Sequence, residues 1–173
     1  MNAVMPNYGN PTVSFERGEG AYLFDTEGRR YLDFAAGIAV NSLGHSHPAL
    51  VTALKEQAER LWHVSNLYAI PDQVRMAERL CALSFADGVF FCNSGTEAME
   101  GSIKAARRFH AQNGHPEKWR SITLEGSFHG RTIAMLSASK NPKHLDGFGD
   151  PADGFDIVPP HNMNALRDAI TPE

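Results

Sequence analysis

The stretch Gly88-Val89-Phe90-Phe91-Cys92-Asn93-Ser94-Gly95-Thr96-Glu97-Ala98-Met99-Glu100-Gly101 joins an apolar run to a turn of small residues, and the turn to a helical pattern. A short apolar run closed by turn residues reads as a buried strand, here Gly88 to Cys92. After the turn Met99, Ile103, Ala106 and His110 recur at helical spacing, so a helix is expected from Thr96 to about Gln112 with those residues facing inward. Ser94 can cap that helix, and Glu97, three residues on, completes a capping box. Gly95 has no side chain and lets another group approach the backbone. A helix start presents unpaired N–H groups and a partial positive charge, which suits a phosphate. In open α/β sheets ligands sit beyond the carboxyl ends of the strands, where this turn falls. Ser94 and Glu97 also suffice as a plain cap, so the turn alone does not decide between a cap and an anion site. It is neither a Walker loop nor a Gly-x-Gly-x-x-Gly fingerprint, which disfavours nucleotides.

Outward from this stretch the chain alternates. A strand at Ser121 to Leu124 precedes a helix from about Arg131 to Ser137, and a strand at Phe155 to Val158 precedes a helix from about Asn164 to Ile170. Three strand–helix units in a row predict a mostly parallel sheet in an α/β domain, with helices on both faces. Upstream, Val13 to Phe15, Tyr22 to Phe24 and Arg30 to Phe34 read as short strands. Asp25-Thr26-Glu27-Gly28 turns the second into the third, so a small antiparallel hairpin is expected. Gly37 to Pro48 is rich in small residues without helical period and reads as an irregular crossing. Helices follow from about Pro48 to Trp62 and from Pro71, with Cys81 on the latter. Lys140 to Gly154 is a long, turn-rich connection of the kind that is often functional. The expected organisation is an N-terminal segment over 1–66, hairpin plus connecting helix, and the first part of a three-layer sheet domain over 67–173.

Composition narrows the classes. Of 173 residues 42% are hydrophobic and 21% charged, ordinary values for a globular protein, and the formal net charge is -4. That charge offers no general attraction to nucleic acid or to an anionic membrane, and no apolar run approaches a membrane span. Cys81 and Cys92 form no metal or redox motif; they are expected as reduced, buried thiols in a cytoplasmic protein. His45 and His47 lack further ligands at useful spacing, so no metal site is expected.

The second junction reads Glu125-Gly126-Ser127-Phe128-His129-Gly130-Arg131. An aromatic between two glycines at a strand's carboxyl end is poorly placed for a core and well placed to lay its ring on a flat ligand. Arg131 can offer its planar fork to a carboxylate. His129 suits either proton transfer or a role as hydrogen-bonding spacer, and the spacer is preferred. Taken singly, Phe128 could cover the sheet end and Arg131 could pair with a surface acid. Together with the first turn they make a phosphate cradle, an aromatic plate and a carboxylate clamp on neighbouring strand ends. That combination fits pyridoxal 5′-phosphate (PLP) with an amino-acid substrate.

At these residues the chain resembles the N-terminal part of a class III, fold-type I PLP-dependent aminotransferase. The stretches that carry the resemblance are AAGIAVNSLGHSHPALVTAL, LWHVSNLY, FFCNSGTEAMEGSIKAAR, FHGRTIAMLSAS, GFG and NALRDAI, in order over nearly the whole chain. The resemblance implies that Ser94, Gly95 and Thr96 hold the cofactor phosphate and that Phe128 stacks on its ring with His129 beside it. It implies that Arg131 binds the substrate carboxylate and that Val40 and Asn41 approach the substrate. Asn66 and Tyr68 are the expected contacts from Leu61 to Tyr68, near the pocket or a dimer interface. Glu97 and Glu100 fit capping and packing. Within the family VNSLGHSHP and LWHVSNLY tilt toward transfer of the terminal amino group of N-acetylornithine to 2-oxoglutarate. Ornithine, succinylornithine and 4-aminobutyrate stay open as donors. The resemblance also implies a homodimer.

The family's Schiff-base lysine lies in the later half of its members, and no lysine here has the expected setting. Lys55 and Lys104 fall in helical patterns, and Lys118, Lys140 and Lys143 in polar or turn-rich segments. The chain is therefore expected to be a fragment, inactive alone. Two rivals remain: a catalytically dead interaction module, and a nucleotide-binding α/β protein, which would lack a phosphate-loop lysine.

Overall fold

The computed structural model describes residues 3–171. Its contacts group the chain into two units, Met1–Val74 and Arg75–Glu173.

The first unit holds an antiparallel sheet of β1 (Phe15–Glu19), β2 (Tyr22–Asp25) and β3 (Arg30–Leu32), in that order. The β2–β3 turn was legible, but the first strand was placed too early: β1 shares only Phe15 with the expected Val13 to Phe15 and runs on to Glu19, with a bulge between Phe15 and Arg17. Asp25 closes the β2–β3 turn. Its buried carboxylate accepts from the backbone N–H of Glu27 (3.0 Å) and Arg29 (2.9 Å), from Arg29 Nε (2.6 Å) and from the Tyr31 hydroxyl (3.0 Å). Burial alone would raise the pKa of this group, but the bonds from Arg29, Tyr31 and Glu27 outweigh it and hold the carboxyl down to about 2.

The crossing segment is not wholly irregular. Ala36–Ala39, α1, forms one turn of left-handed hand: φ is 46° at Ala36, 64° at Gly37, 59° at Ile38 and 63° at Ala39. Only Gly37 takes this region without a Cβ penalty. Asp33 Oδ1 fixes the start of the turn by accepting from the N–H of Ala35 (2.9 Å) and Ala36 (3.0 Å). Its Oδ2 lies 2.7 Å from His45 Nε2, and the His45 backbone pairs with Gly20 in both directions. The His45 bond, with those from Ala36 and Ala35, lowers the Asp33 pKa against its burial. The helix α2 spans Pro48–Ala58 and stops short of Trp62, whose indole N–H instead donates to the Ala58 carbonyl at 2.6 Å. A short 3₁₀ turn follows at Ser65–Leu67, and α3 runs over Pro71–Ala82.

The second unit carries α4 (Gly95–Gln112), β4 (Ser121–Leu124), α5 (Ile133–Ser139), α6 (Pro142–Leu145), β5 (Phe155–Val158) and α7 (Met163–Ala169). Strands β4 and β5 pair in parallel, from Ser121 opposite Phe155 to Leu124 opposite Val158. Arg120 pins their starting ends, donating from Nε (2.9 Å) and Nη2 (2.7 Å) to Asp156 and from Nη1 (3.0 Å) to Asp153. These bonds raise the Arg120 pKa and lower that of Asp156, and Asp153 is lowered first by the bond it accepts from the Gly154 N–H and then by Arg120.

The core lies where α5 covers the two strands: Met135, Ala138 and Phe155 are buried, with Met99, Ile103 and Ala134 packed around them. The serines of α5 are buried without loss. Ser137 Oγ donates to the Ile133 carbonyl (2.7 Å) and accepts from Ala152 N–H (2.8 Å), and Thr123 Oγ1 donates to the Ala138 carbonyl (2.6 Å). Two expectations are corrected here. Residues 88–92 form no strand, since no described strand lies beside them to exchange ladder bonds; Phe90 lies on Gly101 of α4 instead, 3.5 Å from the position of a Cβ there. The thiols are free but not buried: Cys81 is half-buried and Cys92 exposed.

Candidate functional site

The first turn is built as a capping box. Ser94 takes extended backbone, its Oγ accepts from Glu97 N–H (3.2 Å), and it donates to Glu97 Oε2 (2.9 Å), which also accepts from Asn93 N–H (3.1 Å). Glu97 is thereby spent on the box, as its capping role required. The N–H groups of Gly95 and Thr96 have no intrahelical partner in the first turn and meet no acceptor among the described residues. A Cβ built on Gly95 would meet nothing within 4 Å, so the space over the turn is open. Unpaired donors, open space and the positive end of an 18-residue helix together suit an anion.

The second turn meets the first. Gly130 is buried at φ 136°, and a Cβ there would stand 2.8 Å from Cβ and Cγ2 of Thr96. Only a glycine lets the two turns approach this closely. Next to Gly130, the Arg131 guanidinium lies 5.3 Å from the centre of the Phe128 ring, a cation–π distance. Phe128 is 65% exposed and does not cover the sheet end. Among the described residues no carboxylate pairs with Arg131, so its fork is left for another acid.

His129 is held by Ser127. The Ser127 hydroxyl lies 2.6 Å from the Leu124 carbonyl, to which it donates, and 2.8 Å from His129 Nε2. A hydroxyl has one proton, so it accepts from His129, which fixes Nε2 as the protonated nitrogen. His129 and Ser127 line the polar edge of a cleft of about 460 Å³ between α4 and β4, floored by Met99, Ile103 and Ile122.

The second unit thus brings together Ser94, Gly95, Thr96, Phe128, His129 and Arg131. Val40 and Asn41 lie in the first unit and are exposed; Asn41 lines a separate pocket of about 360 Å³ with Asp33, Phe34, Ser42 and His45. Asn66 sits in the exposed 3₁₀ turn of the same unit, beside Tyr68. Sequence reasoning missed two members of these neighbourhoods. Asp33 showed no signal, because its partner His45 is twelve residues away. Thr132, which bonds Glu100, was concealed by placing the start of α5 at Arg131; the cap-forming threonine before Ile133 was the available sign.

The family model for class-III aminotransferases matches residues 3–170. The chain belongs to the class-III aminotransferases. Acetylornithine aminotransferase 1 of Bradyrhizobium diazoefficiens is 56% identical over 170 residues, 98% of this chain and 42% of that protein. N-acetylornithine aminotransferase from Stenotrophomonas maltophilia superposes with a TM-score of 0.74 at 38% identity, over 94% of this chain and 39% of that one. Ornithine aminotransferase from Toxoplasma gondii, in a structure with partial occupancy of PLP at the active site, superposes with a TM-score of 0.87 at 30% identity, over 96% and 40%. The chain spans about two fifths of the length of the aminotransferases it matches. The hairpin sheet and the parallel β4–β5 sheet with its helices belong to the α/β, fold-type I architecture of this family. PLP is the cofactor that the family and the T. gondii structure indicate.

Proposed function

We propose that the whole protein is a PLP-dependent aminotransferase that moves the terminal amino group of N-acetylornithine to 2-oxoglutarate, in arginine biosynthesis. The observation that carries the chemistry is the seating of Gly130 on Thr96, which joins an anion cradle to an arginine with no acid partner among the described residues. The similarity to acetylornithine aminotransferases supports the donor. Residues of this chain fit the cofactor: N–H groups of Gly95 and Thr96, with the Ser94 cap, would hold its phosphate, and the exposed face of Phe128 would lie on its ring. When bound, PLP supplies an electron sink for breaking bonds at the carbon that carries the amino group. The chain's part is to bind and orient. Arg131, steadied over Phe128, would take a substrate carboxylate in a bidentate pair and fix which carbon is presented. His129 keeps its Nε2 proton on Ser127 and acts as a spacer. Val40 and Asn41 would approach the substrate from the N-terminal segment.

None of the five lysines is proposed to bond the cofactor. Lys55 and Lys104 lie on α2 and α4, and Lys140 donates to the Phe155 carbonyl at 3.3 Å. The covalent lysine would come from the remainder of the whole protein, so this chain alone would not turn over. A cytoplasmic homodimer completes the reading; no described helix is long and apolar enough to cross a membrane.

Gly95→Asp tests the cradle. The new side chain enters open space, so it leaves the fold intact while placing a negative charge over the helix start. PLP affinity of the whole protein is expected to fall at least about tenfold, a change of roughly 1.4 kcal/mol. Unchanged affinity would sink the assignment. Ranking kcat/KM for N-acetylornithine against ornithine, succinylornithine and 4-aminobutyrate tests the donor, and a lead for any of the other three would replace it.

A further inference from the structure

We propose that Glu100 is a positioning residue that, through Thr132, sets the distance between the Arg131 guanidinium and the anion cradle at Ser94–Thr96; the inference rests on the functional reading above. Thr96 and Glu100 are four residues apart and share one face of α4. Thr96 receives Gly130, and Glu100 Oε1 accepts from the Thr132 hydroxyl at 2.5 Å. The same face of one helix therefore grips the chain immediately before and immediately after Arg131.

The spacing is compatible with both anchors. Four residues of helix rise about 6 Å. Two residues of chain reach at most about 7 Å. Gly130 and Thr132 can therefore engage Thr96 and Glu100 together, which holds the backbone of Arg131 beside α4 from both sides. The hydroxyl–carboxylate bond is at the short, charge-assisted end of its range. Thr132 also accepts from Met135 N–H at 3.4 Å and begins α5, so the anchor is itself anchored in the buried core. Glu100 is half-buried and has no other hydrogen-bonding partner among the described residues. Its carboxylate serves this junction.

A purely stabilising tie would change the melting temperature and nothing else. A positioning tie changes how tightly a carboxylate ligand is held while the phosphate cradle stays as it was. The experiment uses the whole protein with Glu100→Ala, Thr132→Val and the conservative Thr132→Ser. Calorimetric titration gives the Kd for 2-oxoglutarate on the PLP-loaded form and the Kd for PLP on the apo form. Glu100→Ala and Thr132→Val are expected to raise the 2-oxoglutarate Kd about tenfold, short of the roughly hundredfold that a 1 Å misplacement brings. The double variant Glu100→Ala/Thr132→Val should be no worse than either single, since both remove one bond. Thr132→Ser should return the Kd to near that of the parent, and PLP affinity should stay within about twofold, because the cradle donors are backbone groups of α4.

An unchanged 2-oxoglutarate Kd in Glu100→Ala, or 2-oxoglutarate and PLP affinities that fall in parallel, would overturn the proposal. Arg131→Ala separates this from failure of the functional reading. If Arg131→Ala weakens 2-oxoglutarate and Glu100→Ala does not, the positioning role falls and the clamp stands. If Arg131→Ala has no effect either, the clamp itself falls and the proposal with it.

Discussion

Gly130→Ala attacks the contact on which the site depends. A Cβ at this position would stand 2.8 Å from two atoms of Thr96, and ordinary contact begins at 3.4 Å. Thr96 Oγ1 would be nearer still, so the turns must separate by more than roughly 0.6 Å, and in a packed junction such insertions cost about 1–3 kcal/mol. The backbone adds to this, because φ is 136° and an L side chain there is strained by about 1–3 kcal/mol. A combined loss of about 3 kcal/mol is expected, each kcal/mol lowering the melting temperature by roughly 2–4 °C in a domain of 150–250 residues. The assay is thermal unfolding of the apo whole protein by circular dichroism, with PLP titration alongside. Thr96→Gly/Gly130→Ala supplies the control: it removes the crowding atoms, so the packing share should return and the backbone share should not. A melting temperature unchanged by Gly130→Ala would refute the reasoning, because it would mean that the two turns are not in contact.

Ser94→Ala should cost about 1 kcal/mol through loss of the cap, measured by thermal unfolding, and should weaken PLP less than Gly95→Asp does. Met135→Ala empties a fully buried position of the α5 core and should destabilise by about 2–5 kcal/mol, read as a fall in melting temperature. For Asp25 the folded pKa, about 2, lies below the unfolded value of 3.8. Its stabilisation is therefore complete above the unfolded value and drains away as pH falls through the folded one. Asp25→Asn should lower stability at neutral pH and flatten the acid limb between those two values, and an acid limb identical to the parent's would contradict it.

Much of the second unit was legible because its signals are local. The strands Ser121–Leu124 and Phe155–Val158 are bounded by turn residues, and both occur with the expected limits. The capping box at Ser94 and Glu97 is written in a four-residue spacing. Gly88 to Cys92 shows the opposite case: its apolar run reads as a strand, but a strand also needs a neighbour, and pairing is not a property of the run itself. The inward stripe on α4 was partly right, with Met99, Ile103 and His110 half-buried and Ala106 exposed. The thiols were misread for a related reason, since burial depends on what else packs nearby. The Glu100–Thr132 bond joins residues 32 positions apart, and no window of sequence displays it. Gly130 was legible only as one of the glycines about Phe128, and that Thr96 lies against it came only from the structure.

The left-handed turn at Ala36–Ala39 rests on a chain of supports. Its three non-glycine residues each take a hand that costs roughly 1–2 kcal/mol locally, so the turn depends on contacts outside itself. Asp33 caps its start, His45 bonds Asp33, and the His45 backbone pairs with Gly20 beside the sheet. Asn41, whose N–H donates to the Ala36 carbonyl at 2.8 Å, shares that dependence. Loosening any one link, at Gly20, His45 or Asp33, therefore unsettles the segment that carries Val40 and Asn41 without touching it.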